Sequence, residues 1–170
     1  MSRNLLLIAG FFSLVASVLY WQWARVDRGD LHTLTETGSC AGCNLRGVNL
    51  SGLNLEGADL RRADLSNANL SSTRLVRADL WQANLNGATL DSVDLTGTNL
   101  RGLDLRGRNV RKANLTDANL TGVNLSGMDL TGVKLRNMDM SNHDLTGTIL
   151  AEADLTNAVL SNSYLIGNNF

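Results

Sequence analysis

A five-residue period runs through three quarters of the chain without interruption. From Leu45 to Phe170, every fifth residue is large and apolar, which gives 26 consecutive positions, 23 of them leucine. No residue is inserted or deleted anywhere in this run. An α-helix cannot use this period, because a five-residue spacing spreads the leucines around a surface that repeats every ~3.6 residues. The period therefore predicts a chain that turns in the same sense every five residues.

The residues around each of these apolar positions, here called central residues, have preferences of their own. Two before it, 10 of 26 are Ala; one before it, 20 of 26 are Asp or Asn; two after it, 12 of 25 are Gly and 5 are Asn. The apolar–polar–apolar alternation predicts three extended residues, with the small residue and the central residue facing inward. Gly and Asn tolerate positive φ, so the position two after the centre is predicted to be a corner. Asp and Asn beside it can hold the turn through hydrogen bonds to the backbone.

An extended side followed by a corner in every pentad makes the chain coil. One turn cannot bury its leucines alone, whereas stacked turns bury them and pair their backbone edges. The sequence therefore predicts an all-β repeat solenoid.

The tandem A(D/N)LXX pattern, as in GADLRRADLSNANL and KANLTDANLTGVNL, resembles the pentapeptide-repeat family over residues 43–170. Membership implies a right-handed, four-sided β-helix with four pentads per coil. The run from Leu45 to Phe170 then makes about six coils stacked about 4.8 Å apart, and residues 20 apart share a column. The β-helix is predicted to occupy residues 38–170.

The N-terminal part of the chain is different in kind. Residues 5–24 carry no charge and are mostly apolar, and about twenty such residues in a helix span a bilayer core. Tyr20, Trp21 and Trp23 crowd the far end, where an interfacial aromatic belt belongs. Residues 1–28 are therefore predicted to form a hydrophobic helix that is an uncleaved transmembrane anchor, with residues 29–37 as a linker.

The alternative for this segment is a cleaved signal sequence, with Val15-Ala16-Ser17 as the cleavage site. The apolar run continues beyond that site, which favours the anchor. The short tail before the segment is typical of anchors that deliver the downstream chain across the membrane. The expected location is a single-pass membrane protein with its repeats on the exported side, in a periplasm or thylakoid lumen.

Cys40 and Cys43 stand in register with the repeat at its front. Cys40 falls on a central position and Cys43 on a small inward position, so both are predicted to face the first coil. Metal binding needs more ligands than the pair supplies, and haem attachment needs a His where Asn44 stands. Two interpretations remain: plain inward fillers, or a disulfide that pins the first turn in an oxidising compartment.

Two residues break the inward pattern. Arg108 and His143 occupy positions where most pentads carry a small residue. A buried unpaired charge is costly, so Arg108 is expected to sit at a local bulge with its charged end turned outward. His143 is expected to be a hydrogen-bonded inward histidine rather than a ligand.

Two surfaces are predicted to meet partners. Trp81 follows a central leucine and should point outward, with Arg61 one coil before it and Arg101 one coil after it; these predict an Arg61–Trp81–Arg101 ladder with Arg62 beside it. The last pentads end without a sequence that could cap the coil. Their apolar residues are expected either to plug the coil through Phe170 or to meet another protein or a second copy; they are Tyr164, Ile166 and Phe170.

The composition and motifs favour a binding module over an enzyme. The sequence contains no recognisable nucleophile–base pair, carboxylate dyad or phosphate loop, so neither catalytic residues nor a cofactor or metal is predicted. We expect a non-catalytic, membrane-anchored structural or interaction module that serves a membrane protein complex. The alternative is a DNA mimic that binds topoisomerase, as the family's quinolone-resistance members do. That role needs a strongly negative surface, whereas residues 38–170 hold 13 acidic and 12 basic side chains. No nucleic acid partner is expected.

Overall fold

Residues 28–170 are described by a computed structural model, in which one short helix leads into a four-sided coil. The helix, α1, spans Arg28–Thr37. The sides of the coil are too short to form extended strands, and each contributes a single bridging residue, the one before the central residue. A turn follows every side.

The register of the coil is set by parallel bridges between residues 20 apart, for example Asn44 with Asp64 and Asn54 with Arg74. The Leu45 N–H donates to the Asp64 carbonyl at 2.8 Å, and the Asp64 N–H donates to the Cys43 carbonyl at 2.8 Å. This spacing confirms four pentads per coil. The right hand of the coil, which the family resemblance implies, stays a prediction.

The interior is filled by two residues from each pentad. The central residues from Leu45 to Leu150 are buried, and the inward position before them is mostly buried alanine, valine or threonine. All 25 corner residues have positive φ, including 13 that are not glycine. The preceding Asp or Asn holds many of these corners; Asn99 Oδ1, for example, accepts the Arg101 N–H at 3.2 Å. The in–out–in pattern and the corners are therefore as the sequence predicts.

The N-terminal end of the coil is capped by α1, within the segment predicted as a linker. Leu31 and Leu34 lie three residues apart on one face of the helix and pack on the core, with Leu34 only 1% exposed. The Asp30 carboxylate accepts the Asn44 N–H at 2.7 Å, which ties the helix to the first coil. Residues 29–37 are thus part of the folded domain, because the first coil needs a cover for its apolar end.

Within residues 28–170, no helix is long and apolar enough to cross a bilayer. The predicted anchor, residues 5–24, lies outside the described residues.

The C-terminal end of the coil has no such cover. Tyr164, Ile166 and Phe170 are 61%, 70% and 67% exposed. The prediction that Phe170 turns inward to plug the coil is therefore wrong. No later coil or helix supplies the apolar contacts that would bury its ring, so it stays on the surface.

Candidate interaction surfaces

The first coil is closed by a disulfide bond between Cys40 and Cys43, with an S–S distance of 2.07 Å. Cys40 is 2% exposed and Cys43 is partly buried against the core. Cys40 Sγ also lies 3.1 Å from the Asp30 carbonyl oxygen of α1. The two cysteines and the cap therefore form one packed unit at the N-terminal end.

The surface around Trp81 differs from the predicted ladder. The guanidinium carbon of Arg62 lies 4.9 Å from the centroid of the Trp81 ring, whereas Arg61 turns away towards Asp59. Arg62 Nε also donates to Gln82 Oε1 at 3.3 Å, so the arginine spans two coils. The column register is as predicted, but the arginine stacked on Trp81 is Arg62.

A local rule explains why Arg61 is not available to Trp81. Asp59 Oδ1 accepts the Arg61 backbone N–H, and its two oxygens accept Arg61 Nε at 2.8 Å and Nη2 at 2.6 Å. The sequence Asp104-Leu105-Arg106 forms the same pair, with distances of 2.9 and 2.8 Å. An arginine two residues after a corner aspartate thus folds back onto it. Arg101 follows Asn99, which offers an amide oxygen to the Arg101 backbone N–H instead of a carboxylate.

These pairs control the titration of the carboxylates. The hydrogen bond from the Arg106 side chain, aided by the Arg106 backbone N–H, holds the pKa of Asp104 down at about 2. The Arg61 side chain lowers the pKa of Asp59 in the same way. Both carboxylates therefore stay charged across the neutral and mildly acidic range.

The backbone ladder is interrupted around Arg108. Among the described residues, Asp104 and Asn109, on the two sides that flank Arg108, take part in no bridge. Arg108 Nη2 reaches Asn86 Oδ1 of the previous coil at 3.2 Å, while its buried Nε has no hydrogen-bond partner. A long charged side chain at a position that suits alanine holds the coils apart. The sequence prediction of a bulge is consistent with this arrangement.

A second interruption forms a cleft beside His143. Between residues 119–124 and 139–144, the two coils form no bridge, although bridges resume on the next coil with Asp139–Val159 and Asp144–Tyr164. The cleft has a volume of about 520 Å³. Its lining is mostly polar: Thr121, Gly122, Val123, Asn124, Asp139, Ser141, Asn142, His143 and Asp144.

His143 spans this cleft. Its Nε2 lies 3.3 Å from the Leu120 carbonyl of the facing coil, and its Nδ1 lies 3.3 Å from the Ser141 carbonyl. A neutral imidazole has one N–H, so it donates to one of these two oxygens and the imidazolium donates to both. His143 therefore is hydrogen-bonded, as predicted, but it also replaces main-chain contacts that the regular ladder would make. The sequence marked the position but gave no sign of the cleft. Among residues 28–170, no group of three or more His, Cys, Asp or Glu side chains is arranged to hold a metal ion.

The open C-terminal end is the largest apolar surface of the described residues. Its exposed side chains include Val159 and Leu165 beside the three predicted residues, Tyr164, Ile166 and Phe170. Leu155 and Leu160, central residues of the last coil, are only partly buried. The interior of the solenoid is thus exposed at this end and covered at the other.

Comparison with known proteins agrees with this architecture. The family described as Pentapeptide repeats matches eight copies, over residues 39–75, 73–109, 98–137 and 139–170. HetL from the cyanobacterium Nostoc sp. strain PCC 7120, a pentapeptide repeat protein involved in heterocyst differentiation regulation, is 32% identical, with a TM-score of 0.67 over 77% of this chain and 69% of HetL.

QnrB1, a plasmid-mediated fluoroquinolone resistance protein, is 22% identical, with a TM-score of 0.52 over 74% of this chain and 66% of its own, and shares the fold alone. Comparison with curated proteins gives no significant match. The family match over most of the chain, the likeness to HetL and the 20-residue register together show that the chain belongs to the pentapeptide-repeat family.

Proposed function

We propose that this protein is a non-catalytic interaction module, anchored in a membrane by residues 5–24, that serves as an accessory or assembly component of a membrane protein complex. The repeats lie on the exported side, in a periplasm or thylakoid lumen. The observation that carries the proposal is the difference between the two ends of the coil. One end is covered by α1 and held by a disulfide, and the other presents open apolar surface.

The open end has the properties of a protein-binding surface. Tyr164, Ile166 and Phe170 lie at one end of a repeat structure, where the last coil also leaves its backbone edge without a following coil. Contiguous exposed apolar surface of this kind marks an interaction site, and repeat arrays need a polar cap where no partner covers them. The anchor precedes the capped end in the chain, so the open end is the one remote from it in sequence.

A photo-crosslinking amino acid at Ile166 tests the proposal in the native membrane. We expect it to capture a membrane protein, whereas the same amino acid at Ser126, on the side of the coil, captures little. The protein should also stay in the membrane during alkaline carbonate extraction. Equal labelling from both positions, or release by carbonate together with a mature N-terminus near Val18, would contradict the proposal.

The open end also suits a second copy of the chain. Two such ends related by a two-fold axis would bury the same apolar residues on both partners. Sedimentation of the full chain in detergent should show a dimer that Ile166→Glu disrupts and Ser126→Glu does not. If both variants sediment as the unmodified protein does, the end binds no second copy.

The alternative function is that of a DNA mimic that binds a topoisomerase. The shared fold with a fluoroquinolone resistance protein motivates it. The charge of residues 38–170, with 13 acidic and 12 basic side chains, gives little of the negative surface that imitation of DNA requires. Protection of a type II topoisomerase from a quinolone by the purified protein would establish this function in place of the first.

A further inference from the structure

We infer that the cleft beside His143 binds an extended peptide segment of a partner protein, through main-chain hydrogen bonds and through a lysine or arginine of that segment. This site is on the side of the coil and does not depend on the open C-terminal end. Its carrying observation is the interrupted ladder between two coils whose other sides are regular.

The cleft leaves backbone groups of both kinds without partners. In the regular ladder, a central residue donates to a carbonyl 19 residues later, as Leu115 does to Lys134 at 2.8 Å. The equivalent N–H groups of Leu120, Gly122 and Leu125 make no such bond to the facing carbonyls of the next coil. Unpaired amides and carbonyls at a sheet edge are the groups that an added strand satisfies.

The interruption is confined to the sides that border the cleft. On the opposite side, Lys134 bridges Asn114 and Asp154, so the coils remain stacked there. The two coils are therefore held at a fixed separation on one side and are open on the other. A cleft of about 520 Å³ admits the backbone of a short segment and one or two of its side chains.

The charge of the cleft selects the kind of segment. Asp139 and Asp144 both line it, and neither forms an ion pair with another residue of the described part of the chain. Hydrogen bonds from the Ser141 side chain to Asp139 and from the Thr146 side chain to Asp144 lower the pKa of each carboxyl, so both are ionised. Lysine and arginine are absent from the lining, and His143 is its one basic group.

An extended basic peptide satisfies all of these groups together. A metal ion or a free amine offers nothing to the unpaired N–H groups, and an acidic segment is repelled by the carboxylates. A peptide main chain supplies carbonyls to the N–H groups and N–H groups to the carbonyls, while a cationic side chain reaches Asp139 or Asp144. The occupant is therefore a basic, strand-like segment.

Binding of a synthetic peptide to the full chain in detergent tests the inference. The probe is a fluorescent, blocked hexapeptide of sequence Thr-Lys-Val-Lys-Val-Thr, followed by anisotropy. We expect saturable binding that weakens about tenfold or more when alternate backbone amides of the peptide are N-methylated, because two or more main-chain hydrogen bonds are then lost. Replacing its lysines with glutamate should abolish binding.

The protein variants locate the site. Combined Asp139→Asn and Asp144→Asn substitutions should weaken binding about tenfold, whereas Asp94→Asn, at the same pentad position in a regular part of the ladder, leaves it unchanged. His143→Ala restores a small inward residue, and the cleft should close. Peptide affinity then falls, and the Leu120 and Gly122 amides exchange with solvent more slowly than in the unmodified protein.

Three results would overturn the inference. One is equal affinity for the N-methylated and unmodified peptides, which would reduce the effect to charge alone. Another is an affinity that the double asparagine variant leaves unchanged. The third needs no peptide: if the Leu120 and Gly122 amides exchange as slowly as that of Leu115 in the unmodified protein, the ladder is closed and the cleft offers no main-chain partners.

Discussion

Replacing Arg108 with alanine should stabilise the protein. Arg108 occupies a position where ten of the 26 pentads carry alanine, and its neighbours in the column are Ala88 and Met128. Its side chain holds the coils apart and buries an Nε that has no hydrogen-bond partner. An alanine at this position lets the two sides that flank it approach the neighbouring coils.

The size of the effect follows from the bonds that the ladder regains. The N–H of Leu85 and that of Leu105 form no bond to the carbonyls of Asp104 and Asn124, which they face in a regular register. Each backbone bond contributes a net of about 0.5–1.5 kcal/mol, and removal of an unsatisfied buried donor contributes about 1 kcal/mol more. The packing of the arginine stem is lost, which offsets part of this gain. We expect a net rise of about 2 kcal/mol in the free energy of unfolding.

Urea denaturation of the full chain in detergent measures this change. With a slope of about 2 kcal/mol per molar, the midpoint should rise by about 1 M. Hydrogen exchange supplies a local readout, since the Leu85 and Leu105 amides should become protected. Arg111→Ala, a nearby exposed arginine, is the control and should change stability by less than about 0.5 kcal/mol. A lower midpoint for Arg108→Ala, or an unchanged exchange rate at both amides, would show that the arginine does not cause the interruption.

Three further predictions concern the surface and the first coil. Reduction of the Cys40–Cys43 disulfide should lower the free energy of unfolding by at most about 2 kcal/mol, because the closed loop is short; non-reducing mass spectrometry of protein from its own membrane should find the two thiols bonded. Arg62→Ala should change Trp81 fluorescence and cost about 0.5–1 kcal/mol, whereas alanine at the preceding arginine leaves that emission unchanged. Asp104 has its pKa lowered to about 2, so its contribution to stability is complete above its unfolded value of about 4 and is lost as the pH falls through 2. The urea midpoint should therefore fall between pH 4 and pH 2, and Asp104→Asn should reduce that fall slightly, since an exposed pair is screened.

The architecture could be predicted from the sequence because each pentad repeats the same local instructions. The leucine, the small inward residue, the corner residue and its neighbouring Asp or Asn act within five residues, and the number of pentads per coil followed from family resemblance. The bridges at 20-residue spacing agree with this prediction. Even the corners that lack glycine, such as Arg62 and Lys112, take the predicted positive φ, because the stacked coils on both sides leave them no alternative.

The departures from prediction arise where one residue's choice depends on several neighbours. The ladder at Trp81 required Arg61 to prefer an indole face over a carboxylate two residues away, and the charge-assisted pair with Asp59 is the stronger interaction. The helical cap was missed because ten residues with two leucines on one face resemble a linker until the uncovered coil is beside them. The cleft depends on how two whole coils share the volume of His143, which no local pattern expresses.

The helical cap also bears on how the chain reaches its folded state. Each coil finds its hydrogen-bond partners only in the coil 20 residues earlier, and the first coil finds its cover in α1, which is synthesised before it. A growing chain therefore always carries a finished template on which its next 20 residues can settle, and no segment has to wait for a distant one. The order of synthesis and the order of assembly coincide, so the domain can fold progressively from its N-terminal end while its C-terminal pentads are still being made.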